Sequence, residues 1–179
     1  MVTLVLKMSV SLDGYVAPID GSTDWIAAGG SDDALSWSVE TVRNAGAHLM
    51  GAATYAVMAA HWPGASGPFA KPMNEIPKVV FSDSLAAADW GETTIAAGDL
   101  AEAITRLKQE RSDGYLLAHG GTRFAPIAGR DRLDRRVPPC RPPGRPRRGR
   151  ADLPRTAFEP MSTTAFSGGA VAHVFAAHP

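Results

Sequence analysis

Two stretches of the sequence place glycine where an apolar run gives way to a helical pattern. Residues 115–119 run into Gly120 and Gly121, and residues 47–50 run into Gly51. A helix start leaves backbone N–H groups unpaired and carries about half a positive charge, so it attracts phosphate. Glycine lets the backbone approach that phosphate closely. Each stretch is a candidate phosphate cradle, and in isolation an ordinary turn from strand to helix explains it equally well.

Polar side chains stand at the ends of other predicted strands. Asp13 follows the alternating run 3–12, and open α/β sheets keep their sites at such strand ends. Ser82 follows the apolar run 78–81, and Thr54 lies in the first turn of the helix that Gly51 opens. Hydroxyls in these places can bind phosphate oxygens. The alternatives are an Asp-Gly turn for Asp13, and turn or capping roles for the two hydroxyls.

The elements that position these residues alternate along the chain. Ser31 before two acidic residues predicts a helix start, and Asp99 with Glu102 forms a capping box for a later helix. The order of strands and helices predicts an α/β fold with a mainly parallel sheet. Runs 156–166 and 170–175 predict an antiparallel hairpin at the sheet edge. Trp25 lies in a loop, as the wall of a pocket or as a cover over the core.

Composition narrows the classes of protein. The 179 residues suit one domain, and a formal net charge of zero gives no global field that points to nucleic acid or a membrane. A single cysteine, Cys140, excludes an intramolecular disulfide. Residues 1–10 alternate like a strand, unlike a signal peptide or membrane helix. The five histidines show no zinc spacing, so we expect no metal site. We expect a cytoplasmic protein.

Taken together, the motifs resemble those of the reductase domain of the riboflavin-pathway bifunctional deaminase/reductase, a family of the dihydrofolate-reductase-like superfamily. The resemblance covers residues 1–125 and 151–179. The matching pieces are MSVSLDGYVA at 8–17, DWI at 24–26, LMGAATY at 49–55, HGGTRF at 119–124 and STTAFSGGAV at 162–171.

The resemblance implies one three-layer α-β-α domain over residues 1–179, with an antiparallel C-terminal hairpin, and a homodimer. It implies NADPH as cofactor and hydride transfer to a C=N or C=O group of a small heterocyclic or carbonyl substrate. Asp13 would orient the substrate or relay a proton, with Trp25 beside it at the substrate end. The residues that the resemblance assigns to the cofactor are Ala17, Gly51, Ala52, Thr54, Tyr55, Ser82, Gly120, Gly121, Thr122 and Phe124.

Residues 126–150 differ from the rest of the chain. They hold nine Arg and two Asp, a net charge of +7, together with six of the fourteen prolines. The family has a helix, a strand near Asp-Glu-Tyr and a His-Pro turn here. Prolines at this density do not fit a central strand, and so many arginines cannot be buried unpaired. If these residues are present in the protein as printed, we expect a basic loop in place of two sheet strands.

A shifted reading frame accounts for this segment. A permitted coding of residues 134–145, read one nucleotide later, encodes Ile-Asp-Glu-Tyr-Arg-Leu-Ala-Val-His-Pro-Val-Ala. The printed residues fix the first base of each shifted codon, and in all twelve codons this base agrees with the residue of the shifted reading. The middle base of each shifted codon is the third base of a printed codon, and it was chosen to fit. We predict a double frameshift over residues 126–150, in the gene or in its recorded sequence. A genuine basic insertion that contacts phosphate-rich partners is the alternative.

Three functions stay open at this point. The first is the NADPH-dependent reductase. The second is a nucleotide-binding protein without turnover, because Ala52 stands where the family often has a phosphate-pairing Arg. The third is an arginine-tract binder of nucleic acid on an inert scaffold. The substrate also stays open among folate, a pyrimidine of riboflavin synthesis and an unrelated carbonyl compound.

Overall fold

The computed structural model of the chain describes residues 2–12, 15, 24–27, 30–120, 133–137 and 158–177. No helix within these residues is both long enough and apolar enough to cross a membrane. The elements are β1 Leu4–Lys7, α1 Asp24–Ala27, α2 Asp32–Arg43, β2 Ala45–Gly51, α3 Ala52–His61, α4 Ala70–Glu75, β3 Lys78–Phe81, β4 Thr93–Ala96, α5 Leu100–Glu110, β5 Tyr115–His119, β6 Leu133–Val137, β7 Phe158–Ala165 and β8 Val171–Ala177.

The strands form one eight-stranded sheet in the order β4-β3-β2-β5-β1-β6-β8-β7. Every pairing from β4 to β6 is parallel, whereas β8 runs antiparallel to both β6 and β7. The turn between β7 and β8 contains Gly169 at φ +85°, a conformation that glycine adopts without a steric cost. The predicted mainly parallel sheet with a C-terminal antiparallel hairpin is confirmed.

Helices cover both faces of the sheet. On one face Leu6, Leu49 and Leu116 pack against α5 through Ile104. On the other face Val5, Met50 and Leu117 pack with Val42 of α2, Tyr55 of α3 and Met73 of α4. Because side chains alternate between the faces of a strand, a strand that is covered on both sides must be apolar throughout. This explains the short, continuous apolar runs, and it gives the predicted three layers.

The expectation of a basic loop is wrong for residues 133–137. These residues form β6, whose backbone pairs in parallel with β1 and antiparallel with β8. The physical reason is that the five residues include no proline, so each keeps the N–H that a strand needs to pair on both sides. The prolines of the basic segment that follow this strand, Pro138, Pro139, Pro142, Pro143 and Pro146, lie outside the described residues.

A buried ammonium group fixes the start of β3. Lys78 is 1% exposed, and its Nζ donates to the carbonyl oxygens of Asn74 (2.6 Å) and Ile76 (2.9 Å) at the end of α4. The same Nζ lies 4.9 Å from the centroid of the Trp90 ring. A cation at a helix C-terminus satisfies carbonyls that lack helical partners. Lys78 therefore holds α4 against the sheet.

Candidate functional site

The carboxyl ends of β2 and β5, called the strand exits below, are marked by Gly51 and Gly120 and lie side by side. Strands β2 and β5 are parallel neighbours with Leu49 opposite Ala118, so the register brings Gly51 and Gly120 to the same edge of the sheet. From β2 the chain continues to β3 on one side, whereas from β5 it continues to β6 on the other side. Neighbouring strands whose connections leave in opposite directions form a topological switch point, and open α/β sheets bind ligands in the crevice there.

The start of α3 has features that suit an anion. Gly51 occupies the N-cap position with extended backbone (φ −84°, ψ 164°). Among the described residues no side chain caps the helix, and its first turn holds no acidic residue. The first-turn N–H groups therefore have no capping side chain as acceptor. Ala52 and Thr54 follow in this turn and are half-buried.

The Tyr55 ring belongs to the core beneath this turn. It is 7% exposed, and its hydroxyl accepts a hydrogen bond from the Trp90 backbone N–H at 3.2 Å. The two rings lie 6.2 Å apart. Tyr55 thus ties α3 to the segment before β4, and its predicted contact with a cofactor stays a prediction.

Gly120 and Ser82 lie on either side of Gly51 along the same edge. A Cβ built at Gly120 would lie 3.5 Å from Met8 Cγ and 3.9 Å from the Lys7 carbonyl oxygen, which are ordinary contact distances. Ser82 follows β3, and its Oγ accepts from the N–H groups of Ser84 (3.2 Å) and Leu85 (3.0 Å). Its side chain thus builds the turn after β3. The predicted site residues Asp13, Ala17, Gly121, Thr122 and Phe124 lie outside the described residues.

Trp25 joins an aromatic cluster at the same edge of the sheet. Trp25, like Ala34 and Trp37, packs against the buried residues Phe166, Ala170 and Ala172. The Trp37 and Phe166 rings lie 5.8 Å apart. Because β8 is antiparallel to β6, the turn that carries Phe166 lies at the edge where the parallel strands end. The Trp25 Nε1 atom is buried and has no hydrogen-bond partner among the described residues. A buried N–H that finds no acceptor costs about 1–3 kcal/mol.

Asp33 stabilises the turn that carries this cluster. The sequence alone indicates only that an acidic residue lies in the first turn of α2. Its carboxylate accepts from the Ser167 N–H (2.8 Å), the Ser167 hydroxyl (3.0 Å), the Ala34 N–H (2.9 Å) and the Ser31 hydroxyl. These bonds, with that of Ser31 the strongest, lower the pKa of Asp33 to about 2. The carboxylate therefore holds the β7–β8 turn on the start of α2 at any ordinary pH.

Sequence reasoning missed a pair of histidines at this edge of the sheet, of which one is fully buried and the other half-buried. His48 of β2 is fully buried, its Nε2 lies 3.1 Å from the Pro72 carbonyl oxygen, and its Nδ1 lies 3.0 Å from Nε2 of His119. Burial, with a smaller effect of Lys78, lowers the pKa of His48 to about 4. Burial and the neighbouring His48 and Lys7 hold the pKa of His119 well below its usual range. Both rings are neutral at neutral pH.

One signal could have pointed to this pair. His119 directly precedes Gly120, and His48 stands three residues before Gly51, so each belongs to one of the two candidate cradles. Their contact depends on the register between β2 and β5, which the sequence does not give. Elsewhere among the described residues, no group of three or more His, Cys, Asp or Glu is placed to hold a metal ion.

The strand order and the helices on both faces of the sheet define an α/β protein with a dihydrofolate-reductase-like fold. The chain belongs to the RibD C-terminal domain family, whose model matches residues 2–127. The resemblance to riboflavin-pathway reductase domains is thereby confirmed. The family match ends at the second residue of the basic segment 126–150. A comparison with curated proteins gives no match.

Solved structures share the fold at low sequence identity. A structure described as a riboflavin biosynthesis protein from Shewanella sp. PV-4 is 17% identical, with a TM-score of 0.75 and full coverage of both chains. A diaminohydroxyphosphoribosylaminopyrimidine deaminase/5-amino-6-(5-phosphoribosylamino)uracil reductase from Thermotoga maritima is 20% identical, with a TM-score of 0.63 over 98% of this chain and 56% of that one. Dihydrofolate reductase from Enterococcus faecalis, complexed with NADP(H), is 13% identical, with a TM-score of 0.62 over 99% and 97% of the two chains.

Proposed function

We propose that the protein is an NADPH-dependent reductase that transfers a hydride to a C=N or C=O group of a small heterocyclic or carbonyl substrate. The observation that carries the proposal is the adjacency of Gly51 and Gly120 at a topological switch point, in a chain of the RibD C-terminal domain family. The likeness to a dihydrofolate reductase complexed with NADP(H) supports the choice of cofactor.

The residues at the carboxyl edge fit a phosphate-bearing dinucleotide. The uncapped N–H groups at the start of α3 would bind phosphate oxygens, with the Thr54 hydroxyl beside them. Gly120 would let the backbone of the neighbouring exit approach the same group. Ser82, one strand further along the sheet edge, would lie towards the adenosine end. Gly121, Thr122 and Phe124 would complete the second cradle, and Ala17 would line the cofactor site.

The substrate would bind on the β1 side of this crevice. Bound NADPH supplies the hydride, which forms the new C–H bond of the reduced substrate. The nitrogen or oxygen of the reduced double bond then needs a proton, and Asp13 is the proposed group that orients the substrate or relays this proton. Trp25 would line the substrate end, where its Nε1–H, which has no partner among the described residues, would donate to a carbonyl or ring nitrogen.

A nucleotide-binding protein without turnover is the second candidate. The observation that favours it is the first turn of α3, where Ala52 stands and residues 52–55 include no basic side chain. Without a cation to pair with the phosphate, binding would depend on backbone N–H groups and Thr54 alone. The basic segment, which interrupts the family pattern after residue 127, is a second reason to consider lost activity.

Two measurements on the purified protein separate these candidates. The first is the unfolding temperature with and without NADPH, because a ligand that binds only the folded state stabilises it by about 2.7 kcal/mol at a hundred times its Kd. The second is the loss of absorbance at 340 nm with NADPH and candidate C=N or C=O substrates. A reductase gives both signals, a binder without turnover gives only the first, and the absence of both contradicts the proposal. A homodimer in the cytoplasm is part of the proposal, and light scattering tests the dimer.

A further inference from the structure

His48 and His119 form a hydrogen-bonded chain that begins at a carbonyl group. The Pro72 carbonyl oxygen can only accept, so His48 Nε2, 3.1 Å away, must carry the proton. A neutral His48 then has an unprotonated Nδ1, which accepts from His119 Nε2–H at 3.0 Å. A neutral His119 is left with a lone pair on its Nδ1. The Pro72 carbonyl thus sets the tautomer of both rings.

Charged neighbours reinforce the neutral state. Lys7 stands opposite His119 in the register of β1 with β5, and Lys78 stands opposite His48 in the register of β2 with β3. A proton added to either ring would bring a third positive charge beside these ammonium groups. Among the described residues His119 Nδ1 has no hydrogen-bond partner, whereas His48 has both ring nitrogens engaged. Within the described part of the chain, the acceptor without a donor is therefore Nδ1 of His119, which is half-buried and directly precedes Gly120.

The order of strands indicates which part of a dinucleotide would meet this acceptor. Along the carboxyl edge, β3 with Ser82 comes first, then β2 with Gly51, then β5 with Gly120, and then β1. With the adenosine on the Ser82 side and the phosphates at Gly51 and Gly120, the nicotinamide lies towards β5 and β1. Its carboxamide amino group is the hydrogen-bond donor at that end of the cofactor.

We propose that His119 Nδ1 accepts a hydrogen bond from the carboxamide N–H of the nicotinamide, and that His48 is the positioning residue that holds His119 in the required tautomer. This inference rests on the proposed function and assigns a cofactor contact to a side chain outside the sequence-predicted set. It also explains why a fully buried His48 is useful in this chain, since an apolar residue would leave the Pro72 carbonyl and His119 Nε2–H without partners.

The binding test compares two dinucleotides that differ at one group. NADP⁺ has the carboxamide amino group, whereas its 3-acetylpyridine analogue has a methyl group in that place. His119→Phe keeps an aromatic ring without nitrogen, and we expect it to weaken NADP⁺ binding about threefold to tenfold, the range of one neutral hydrogen bond, while the analogue binds as before. His61→Phe, at the exposed end of α3, is the matched control and should change neither affinity. Equal weakening of both dinucleotides, or of neither, would overturn the inference.

The tautomer test needs no ligand. Two-bond ¹⁵N–¹H correlations of the histidine rings should show protons on Nε2 and bare Nδ1 atoms for His48 and His119 at pH 7. His48→Gln can donate to Pro72 and accept from His119, so it should preserve the His119 pattern and the preference for NADP⁺. His48→Leu should give His119 a mixture of tautomers and reduce that preference. A proton on His119 Nδ1 in the wild-type protein would overturn the inference.

The outcomes separate this inference from the proposed function. If the wild-type protein binds both dinucleotides equally well, and His119→Phe changes neither affinity, the cofactor groove stands and the His119 contact fails. If the wild-type protein binds neither dinucleotide, the proposed function fails, and the His119 contact fails with it.

Discussion

The substitution Gly120→Ala separates a role in binding from a role in folding. A Cβ at this position would lie 3.5 Å from Met8 Cγ and 3.8 Å from Met8 Cε, so the fold has room for it. Gly120 also does not adopt the positive φ that only glycine tolerates well. The described glycines with positive φ are Gly67, Gly91, Gly98, Gly114 and Gly169. Replacing glycine by alanine at a compatible position stabilises a protein by about 0.4–1 kcal/mol through the unfolded state. We therefore expect an unfolding temperature that is unchanged or up to about 3 °C higher.

The same methyl group should weaken cofactor binding. If the dinucleotide phosphates approach the Gly120 backbone, the added Cβ displaces them and costs a charge-assisted hydrogen bond, about 1.5–3 kcal/mol. This corresponds to about a 10- to 150-fold higher Kd for NADPH. Titration of NADPH, followed by its fluorescence or by calorimetry, measures the change.

The control is Gly64→Ala, the same substitution in the turn after α3, where a Cβ would meet nothing within 4 Å. It should leave NADPH affinity unchanged. A Gly120→Ala protein that is well folded and binds NADPH like the wild type would refute the assignment of Gly120 to the cofactor site. A loss of folding in this variant would instead contradict the contact distances.

Three further predictions concern stability and the basic segment. Asp33→Asn should remove a contribution to the free energy of unfolding that depends on pH. The pKa of Asp33 in the folded protein is about 2, below its ordinary value of 3.8. The contribution is therefore present above pH 4 and is lost as the pH falls towards 2. Urea unfolding of both proteins between pH 2 and 6 should show their difference shrinking with acid; a constant difference contradicts this. Lys78→Met should lower the free energy of unfolding by about 1–3 kcal/mol, because two partly buried carbonyls at the end of α4 lose their donor. Lys71→Met, on the exposed face of α4, is the control, and equal effects of the two substitutions would disprove the role of Lys78. Sequencing of the gene and tryptic mapping should reveal a shifted frame over residues 126–150; peptides that match the printed nine-arginine segment would exclude an error in the recorded sequence.

Local patterns predicted the sheet and its edge because they are properties of short stretches. An apolar run of four to seven residues followed by glycine specifies a strand exit, and the alternation of such runs with helical patterns specifies parallel neighbours. The Ser167–Gly169 turn specified the hairpin in the same way. Gly51 and Gly120 could therefore be selected from the sequence as candidates for one edge.

Contacts between distant segments could not be predicted in this way. The His48–His119 bond joins residues 71 positions apart and depends on the register of β2 with β5. The Asp33–Ser167 bonds join residues 134 positions apart, across α2 and the hairpin turn. The strand Leu133–Val137 was missed because the prolines around it dominated the interpretation, although its own five residues can all pair.

Hydrogen exchange with and without NADPH tests the central claim most directly, because it reports both strand exits in one experiment. The amides at the start of α3, residues 52–55, and those at 120–121 should both exchange more slowly when NADPH is bound, since both would lie against the same phosphates. Slower exchange at only one exit, or at neither, would contradict a single groove that binds the cofactor.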